Sequence, residues 1–169
     1  MTPPLLGIAG MKNAGKTTLV VALVEALVRR GLRIATIKHA HHSVQIDQEG
    51  RDSHRHRMAG ASEVVLVTGQ RWAIMGELHG APEPTLAQMV ARLGPCDLVV
   101  IEGYKPLDFP KIEVRRVAAG HAPLPDDIPN IIAVACDRQI DDCPVPVLPL
   151  DKSEAIADFV IGTFKLTPE

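Results

Sequence analysis

The chain has 169 residues, 46% of them hydrophobic, and a formal net charge of -2. That length suits one domain with a core of its own, and the apolar share excludes wholesale disorder. The near-neutral charge excludes a general nucleic-acid or membrane-surface binder, and an aromatic content of 3% leaves little for stacking single-stranded bases.

No run of about 18 apolar residues is present, so no membrane-spanning helix is expected. The opening Met-Thr-Pro-Pro-Leu lacks the pattern of a secretory signal. Cys96, Cys136 and Cys143 have no C-x-x-C pairing, and their spacing does not suggest zinc. Together these features predict a cytoplasmic protein with reduced thiols.

In chain order, residues 5–9 read as a short apolar strand running straight into Gly10. Residues 10–17, Gly-Met-Lys-Asn-Ala-Gly-Lys-Thr, fit G-x-x-x-x-G-K-[ST] in full. The chemistry explains the spacing. Gly10 and Gly15 allow backbone conformations and close approaches that a side chain would block. The amides of the loop and of the helix start, from Lys12, Asn13 and Ala14 through Gly15, Lys16, Thr17 and Thr18, converge on phosphate oxygens. Lys16 reaches the β- and γ-phosphates as the catalytic cation, and the Thr17 hydroxyl joins a Mg²⁺ shell.

Residues 17–30 predict a helix with Leu19, Leu23 and Leu27 on its apolar face and Gly31 at its C-cap. Residues 33–38 predict a second strand, completing a parallel, right-handed strand–helix–strand unit. A helix over 53–59, strands at 63–68, 72–75, 98–102, 112–115 and 131–135, and helices over 85–93 and 153–164 follow, the last capped by Asp151 or Ser153. The runs V-V-L-V, L-V-V-I and I-I-A-V-A are apolar on both faces, as buried central strands of a parallel sheet should be. The expectation is one α/β domain spanning residues 1–169, with helices on both faces of a mainly parallel sheet.

Two stretches depart from this plan and are expected to be functional or oligomer-forming insertions. Residues 105–127 carry several prolines around the K-I-E-V-R-R strand. Residues 39–57 hold His39, His41, His42, His54 and His56, five of the seven histidines, among Asp47, Glu49, Arg51, Asp52, Arg55 and Arg57. A solvated polar segment, a switch-like loop meeting a γ-phosphate or another phosphorylated ligand, and a transition-metal site all fit. The arginines favour an anion over a metal cation. Asp47 and Asp52 are both candidates for orienting an attacking water.

Two strand ends carry acids. Asp97-Leu-Val-Val-Ile-Glu102-Gly103 places Glu102 where the second motif of phosphate-loop proteins puts its metal-shell carboxylate, while Asp97 reads as a cap or surface group. The strand at 131–135 leads through Cys136 to Asp137. A carboxylate there accepts the N1–H and 2-amino donors of guanine, a pair adenine cannot offer. The N-K-x-D pattern is otherwise missing, with Val134 and Ala135 at its Asn and Lys positions.

The blocks I-K-H-A-H-H (37–42), I-D-Q-E-G-R-D-S (46–53), H-R-M-A-G-A (56–61), R-W-A (71–73), E-G-Y-K (102–105) and P-K-I-E-V-R (110–115), together with the loop, resemble MobB. This is the molybdopterin-guanine dinucleotide biosynthesis adaptor family, and the resemblance runs over nearly the entire chain. It implies a P-loop NTPase-like fold and a GTP-binding protein with weak hydrolysis. It also implies work beside the guanylyltransferase that attaches GMP to molybdenum-bound molybdopterin, and a homodimer in which strands of two subunits associate. Carried across, Gly10, Gly15, Lys16 and Thr17 hold phosphates and Mg²⁺, Glu102 lies near the metal and Asp137 stands at the guanine position. The His and Arg blocks line a second anionic surface for the molybdopterin cofactor or the partner's nucleotide. Lys12 and Asn13 depart from the Gly/Ser-rich loops common elsewhere. The alternatives are a nickel-handling GTPase, motivated by the histidines but lacking a C-x-x-C feature, and a small-molecule kinase, lacking an arginine-rich lid.

Overall fold

The computed structural model describes residues 2–40 and 46–167. Its elements are β1 (Leu5–Gly10), α1 (Lys16–Arg29), β2 (Ile34–Lys38), α2 (Asp52–Met58), β3 (Glu63–Val67), β4 (Trp72–Gly76), α3 (Leu86–Ala91), β5 (Leu98–Glu102), β6 (Lys111–Arg115), β7 (Ile131–Cys136), β8 (Val147–Pro149) and α4 (Ser153–Phe164). They divide into two compact units, one of Met1–His39 with Val90–Glu169, the other of Ala40–Met89.

The first unit is built on a six-stranded sheet in the order β2-β5-β1-β6-β7-β8, with every neighbouring pair parallel. One set of alternating side chains, Leu6 and Ile8, Leu98 and Val100, Ile112 and Val114, Ala133 and Ala135, joins one core. Leu19, Leu23 and Leu27 of α1 and Ile156, Ala157 and Val160 of α4 complete it. Arg30 clamps the two helices through Glu154 at 2.8 Å and Asp158 at 2.7 Å. The intervening strand residues Val99, Ile101 and Val134 are buried too. Burial on both faces is why these strands show apolar runs rather than alternation.

α3 starts on a reciprocal cap. The Gln88 amide donates to Thr85 Oγ1 at 3.3 Å, and the Thr85 amide donates to Gln88 Oε1 at 2.8 Å. The three-residue β8, hemmed by Pro146 and Pro149, and a 3₁₀ turn at Val117–Ala119 are too short to leave a periodic signal in the sequence.

The second unit pairs β3 with β4 in an antiparallel ribbon. Arg57 of α2 reaches Glu77 just past β4 at 2.8 Å. Here the expectation for V-V-L-V fails. The run is no central strand of the parallel sheet: Val65, Leu66 and Val67 are 57%, 49% and 70% exposed, with only Val64 buried. Apolar runs report a need for cover, and the covering surface need not be the chain's own parallel sheet.

Lys111 is fully buried in β6, an unusual place for an amine. Its Nζ donates to the carbonyls of Leu107, Phe109 (2.9 Å) and Pro129 (2.9 Å), and lies 4.4 Å from the Phe109 ring centre. Burial lowers its pKa, opposed by Asp108. The ammonium thus ties the segment before β6 to the one before β7. Lys111→Met keeps the stem's volume but orphans the carbonyls, so stability should fall by about 2–3 kcal/mol in urea unfolding.

Candidate functional site

The carboxyl ends of β1, β2, β5, β6 and β7 lie along one edge of the sheet, where strand order reverses about β1. At Gly10 the backbone passes so close to β6 that a Cβ would sit 2.5 Å from the Val114 carbonyl oxygen. The loop turns through Asn13 at φ 62° and enters α1 at Gly15, whose φ of 99° suits glycine. The Ala14 amide donates back to Met11 O at 3.3 Å. Amides of the first turn of α1 have no carbonyl acceptors within the helix and so present donors to a ligand.

Lys16 folds over this loop, donating from Nζ to Met11 O at 2.8 Å. Its pKa is lowered by burial, then by Lys105, with Lys38 adding to the effect and Glu102 opposing it. Thr17 Oγ1 lies 3.1 Å from both Glu102 oxygens. Register explains the meeting, because Glu102 ends β5 opposite Ile8 of β1 and Lys38 of β2. Lys38 Nζ stands 3.7 Å from Glu102 Oε2. A hydroxyl and a carboxylate side by side are hard oxygen donors of the kind Mg²⁺ takes when it keeps most of its waters.

His39 is bound into the strand ends rather than reaching outward. Its amide donates to Glu102 O at 2.8 Å, and its ring stacks on Tyr104 with centres 4.4 Å apart. A Cβ on Gly103 would lie 2.7 Å from His39 Cβ, so only glycine admits this approach.

On the other side of the loop is a cavity of about 370 Å³, lined by Gly15, Thr18, Arg116, Asp137, Leu150 and Asp151 among others. Asp137 borders it and also builds its wall, accepting the amides of Val117 at 2.8 Å and Ala118 at 3.3 Å. Burial raises the Asp137 pKa, but the two amides and the Cys136 thiol outweigh it and leave a net depression. Arg116 Nε donates to Ala14 O at 3.0 Å, joining the 3₁₀ turn to the phosphate loop. Sequence reasoning missed Arg116, because the residue lies 102 positions from its contact and in no motif.

Asp97 binds Arg33 at 2.9 Å at the far end of β5, away from this edge. In the second unit, Asp47 Oδ1 accepts from Ser53 Oγ at 3.0 Å and from the Gln48 amide at 2.9 Å, a tie across the start of α2. Asp52 pairs loosely with Arg55 at 3.9 Å on the exposed face, Arg51 donates to Gln48 and Arg57 is engaged by Glu77. His41 and His42 lie outside the described residues. Among the described residues no group of three His, Cys, Asp or Glu side chains is arranged to hold a metal, and no helix is long and apolar enough to cross a membrane.

A mainly parallel sheet with this loop between its central strand and a helix defines a P-loop NTPase-like protein. The chain belongs to the MobB family, molybdopterin guanine dinucleotide synthesis protein B, whose family profile matches residues 5–137. It is 40% identical over 161 residues to a molybdopterin-guanine dinucleotide biosynthesis adapter protein of Haemophilus influenzae, covering 93% of this chain and 87% of that one. The adapter protein of Escherichia coli is 38% identical over 161 residues, covering 94% and 91%. A crystal structure of molybdopterin-guanine biosynthesis protein B superposes with a TM-score of 0.72 at 26% identity, over 94% of this chain and 99% of that one. The Bacillus subtilis MobB structure shares the fold, with a TM-score of 0.74 at 21% identity over 98% and 99%.

The depressed Asp137 pKa sets a direction for pH dependence. A carboxylate with a lower pKa folded than unfolded adds stability above the ordinary carboxylate range, and that stability is lost as pH falls through the folded pKa. Asp137→Asn should therefore be less stable than the natural protein at neutral pH. The gap in denaturant unfolding should close as the solution is acidified.

Proposed function

We propose that this chain binds GTP with Mg²⁺ at residues 10–17 and serves as an adaptor to the guanylyltransferase that joins GMP to the molybdopterin cofactor. The observation that carries the reading is the 3.1 Å approach of Thr17 to both Glu102 oxygens, beside a loop closed by Lys16. Thr17 would ligate the ion directly and Glu102 would hold its waters, and the ion would supply positive charge between the β- and γ-phosphates. Asp137 supports guanine over adenine. Its Oδ1 accepts the Val117 amide and the Cys136 thiol, while Oδ2 accepts the Ala118 amide at 3.3 Å and keeps a lone pair for a base donor. Hydrolysis would be slow, since no arginine finger is identified among the described residues and such a residue is worth about 10³–10⁵ in turnover. Asp47 and Asp52 remain the candidate acids for the attacking water, and the relatives' name of adapter protein fits a slow enzyme that works by association.

The same reading includes a homodimer through the β3–β4 ribbon. Trp72 and Ile74 are 64% and 50% exposed beside the open face of β3. A two-stranded ribbon is marginal on its own in water, and a second copy of equal apolar character would cover it. Val67→Asp with Trp72→Asp should convert a dimer to monomer in sedimentation; an unchanged mass would place the dimer elsewhere or exclude it.

Calorimetric titration with GTP and with ATP, each with Mg²⁺, tests the nucleotide reading. GTP should bind more tightly, Lys16→Ala should abolish binding, and Asp137→Asn should narrow the preference. Equal affinity for GTP and ATP would overturn the guanine assignment while leaving the phosphate loop in place. Unchanged binding by Lys16→Ala would remove the loop itself.

A further inference from the structure

We infer that Arg116 forms a face of the base slot, stacking its guanidinium plane against the purine. This rests on the nucleotide reading above but not on the choice of guanine. A purine held in a protein needs a flat or apolar surface against its rings as well as partners at its edge. The residues lining the 370 Å³ cavity beside Gly15 and Thr18 include no aromatic side chain. Leu150 offers aliphatic cover, and Asp137, Asp151 and Ser153 offer edge groups. The broad planar π surface among these linings is the Arg116 guanidinium, and arginine is the cation best suited to stack on an aromatic face.

The group is held for that task from both sides. Its Nε–H donates to Ala14 O at 3.0 Å, fixing one edge of the guanidinium on the phosphate loop. Its backbone leads into the 3₁₀ turn whose first two amides are gripped by Asp137. The plane also lies against Gly15: a Cβ there would stand 3.1 Å from Nη2 and 3.3 Å from Nε. The second glycine of the loop thus serves two demands, a φ of 99° and room for this side chain. With Nε committed and one side of the plane against Gly15, the other face and the Nη donors remain for a ligand. β7 supplies no cation to this cavity, having Val134 and Ala135 before Cys136 and Asp137. The cation comes instead from the end of β6, the strand paired between β1 and β7.

Stacking is indifferent to which purine is bound, whereas a carboxylate at the base edge is selective, so the two roles separate in one experiment. The full chain, Arg116→Ala and Arg116→Lys are titrated by calorimetry with GTP, ATP and inorganic tripolyphosphate, each with Mg²⁺. Arg116→Ala should weaken GTP and ATP alike by about 3- to 30-fold and change tripolyphosphate by less than about 2-fold. Arg116→Lys keeps the charge and a donor for Ala14 O but loses the plane, and should recover only part of the loss. Equal losses for all three ligands would overturn the inference, making Arg116 a brace of the loop or a phosphate contact. No loss for either nucleotide would overturn it too. If Arg116→Ala does not fold, Arg116→Lys decides: nucleotide binding equal to the natural protein's refutes stacking. Equal affinity of the natural protein for GTP and ATP refutes only the guanine assignment, while binding of none of the three refutes the phosphate loop and this inference together.

Discussion

The contact between Thr17 and Glu102 joins residues 85 apart and fixes the start of α1 against the end of β5. It is available because the parallel ladder sets Glu102 level with Ile8, two residues before the loop begins. Parallel strands deliver all their carboxyl ends to one edge, so a group ending one strand automatically faces the turn leaving its neighbour. β2 brings Lys38 to the same carboxylate, and β6 brings Val114 close enough to make Gly10 obligatory. A slip of one residue in the β1–β5 pairing would turn Glu102 onto the opposite face and empty the site of its acid.

The phosphate loop and the cavity beside it are one connected structure. Ala14 O holds Arg116, the turn after Arg116 is held by Asp137, and Asp137 ends β7. The chain of hydrogen bonds runs from β1 through the loop to β7, two strands along, and it uses side chains where backbone geometry leaves an amide or carbonyl unpaired. Asp137 is therefore a structural acid as well as a candidate base-reading one. A group already ionised and oriented by two amides needs little reorganisation when a base approaches, which is how a fixed dipole or charge gains over a mobile one.

The sequence made some of this legible and not the rest, for physical reasons. The loop was legible because its glycines, lysine and threonine answer local demands within eight residues. Strands β1, β5 and β7 were legible because burial on both faces leaves unbroken apolar runs. Glu102 and Asp137 were found from a position rule, acid at a strand end. Arg116 was not, since its partner lies far along the chain and arginine before a short turn carries no signal of its own. Lys111 escaped for the opposite reason: within K-I-E-V-R it looks like a solvated strand start, and only the fold supplies three carbonyls to bury it. V-V-L-V misled because hydrophobicity specifies that a surface be covered without saying by what.

Charge at the phosphate edge runs against that of the whole molecule. The chain as a whole carries -2, yet Lys38 and Lys105 both act on Lys16 beside the carboxylate of Glu102. The lowered pKa of Lys16 records the cost of that arrangement: burial and two neighbouring ammonium groups disfavour its charge, and Glu102 relieves only part. An arriving polyanion would counter the repulsion from the neighbouring ammonium groups, since phosphate oxygens pair with the amines and the hydrogen bond to Met11 O becomes dispensable. Glu102 then has two tasks that conflict in the absence of a cation. It would moderate lysine repulsion in the free protein, yet repel phosphates brought to the same edge. A divalent cation held beside the carboxylate would resolve that conflict, so the arrangement of charges favours the proposal that nucleotide and Mg²⁺ bind together rather than either alone.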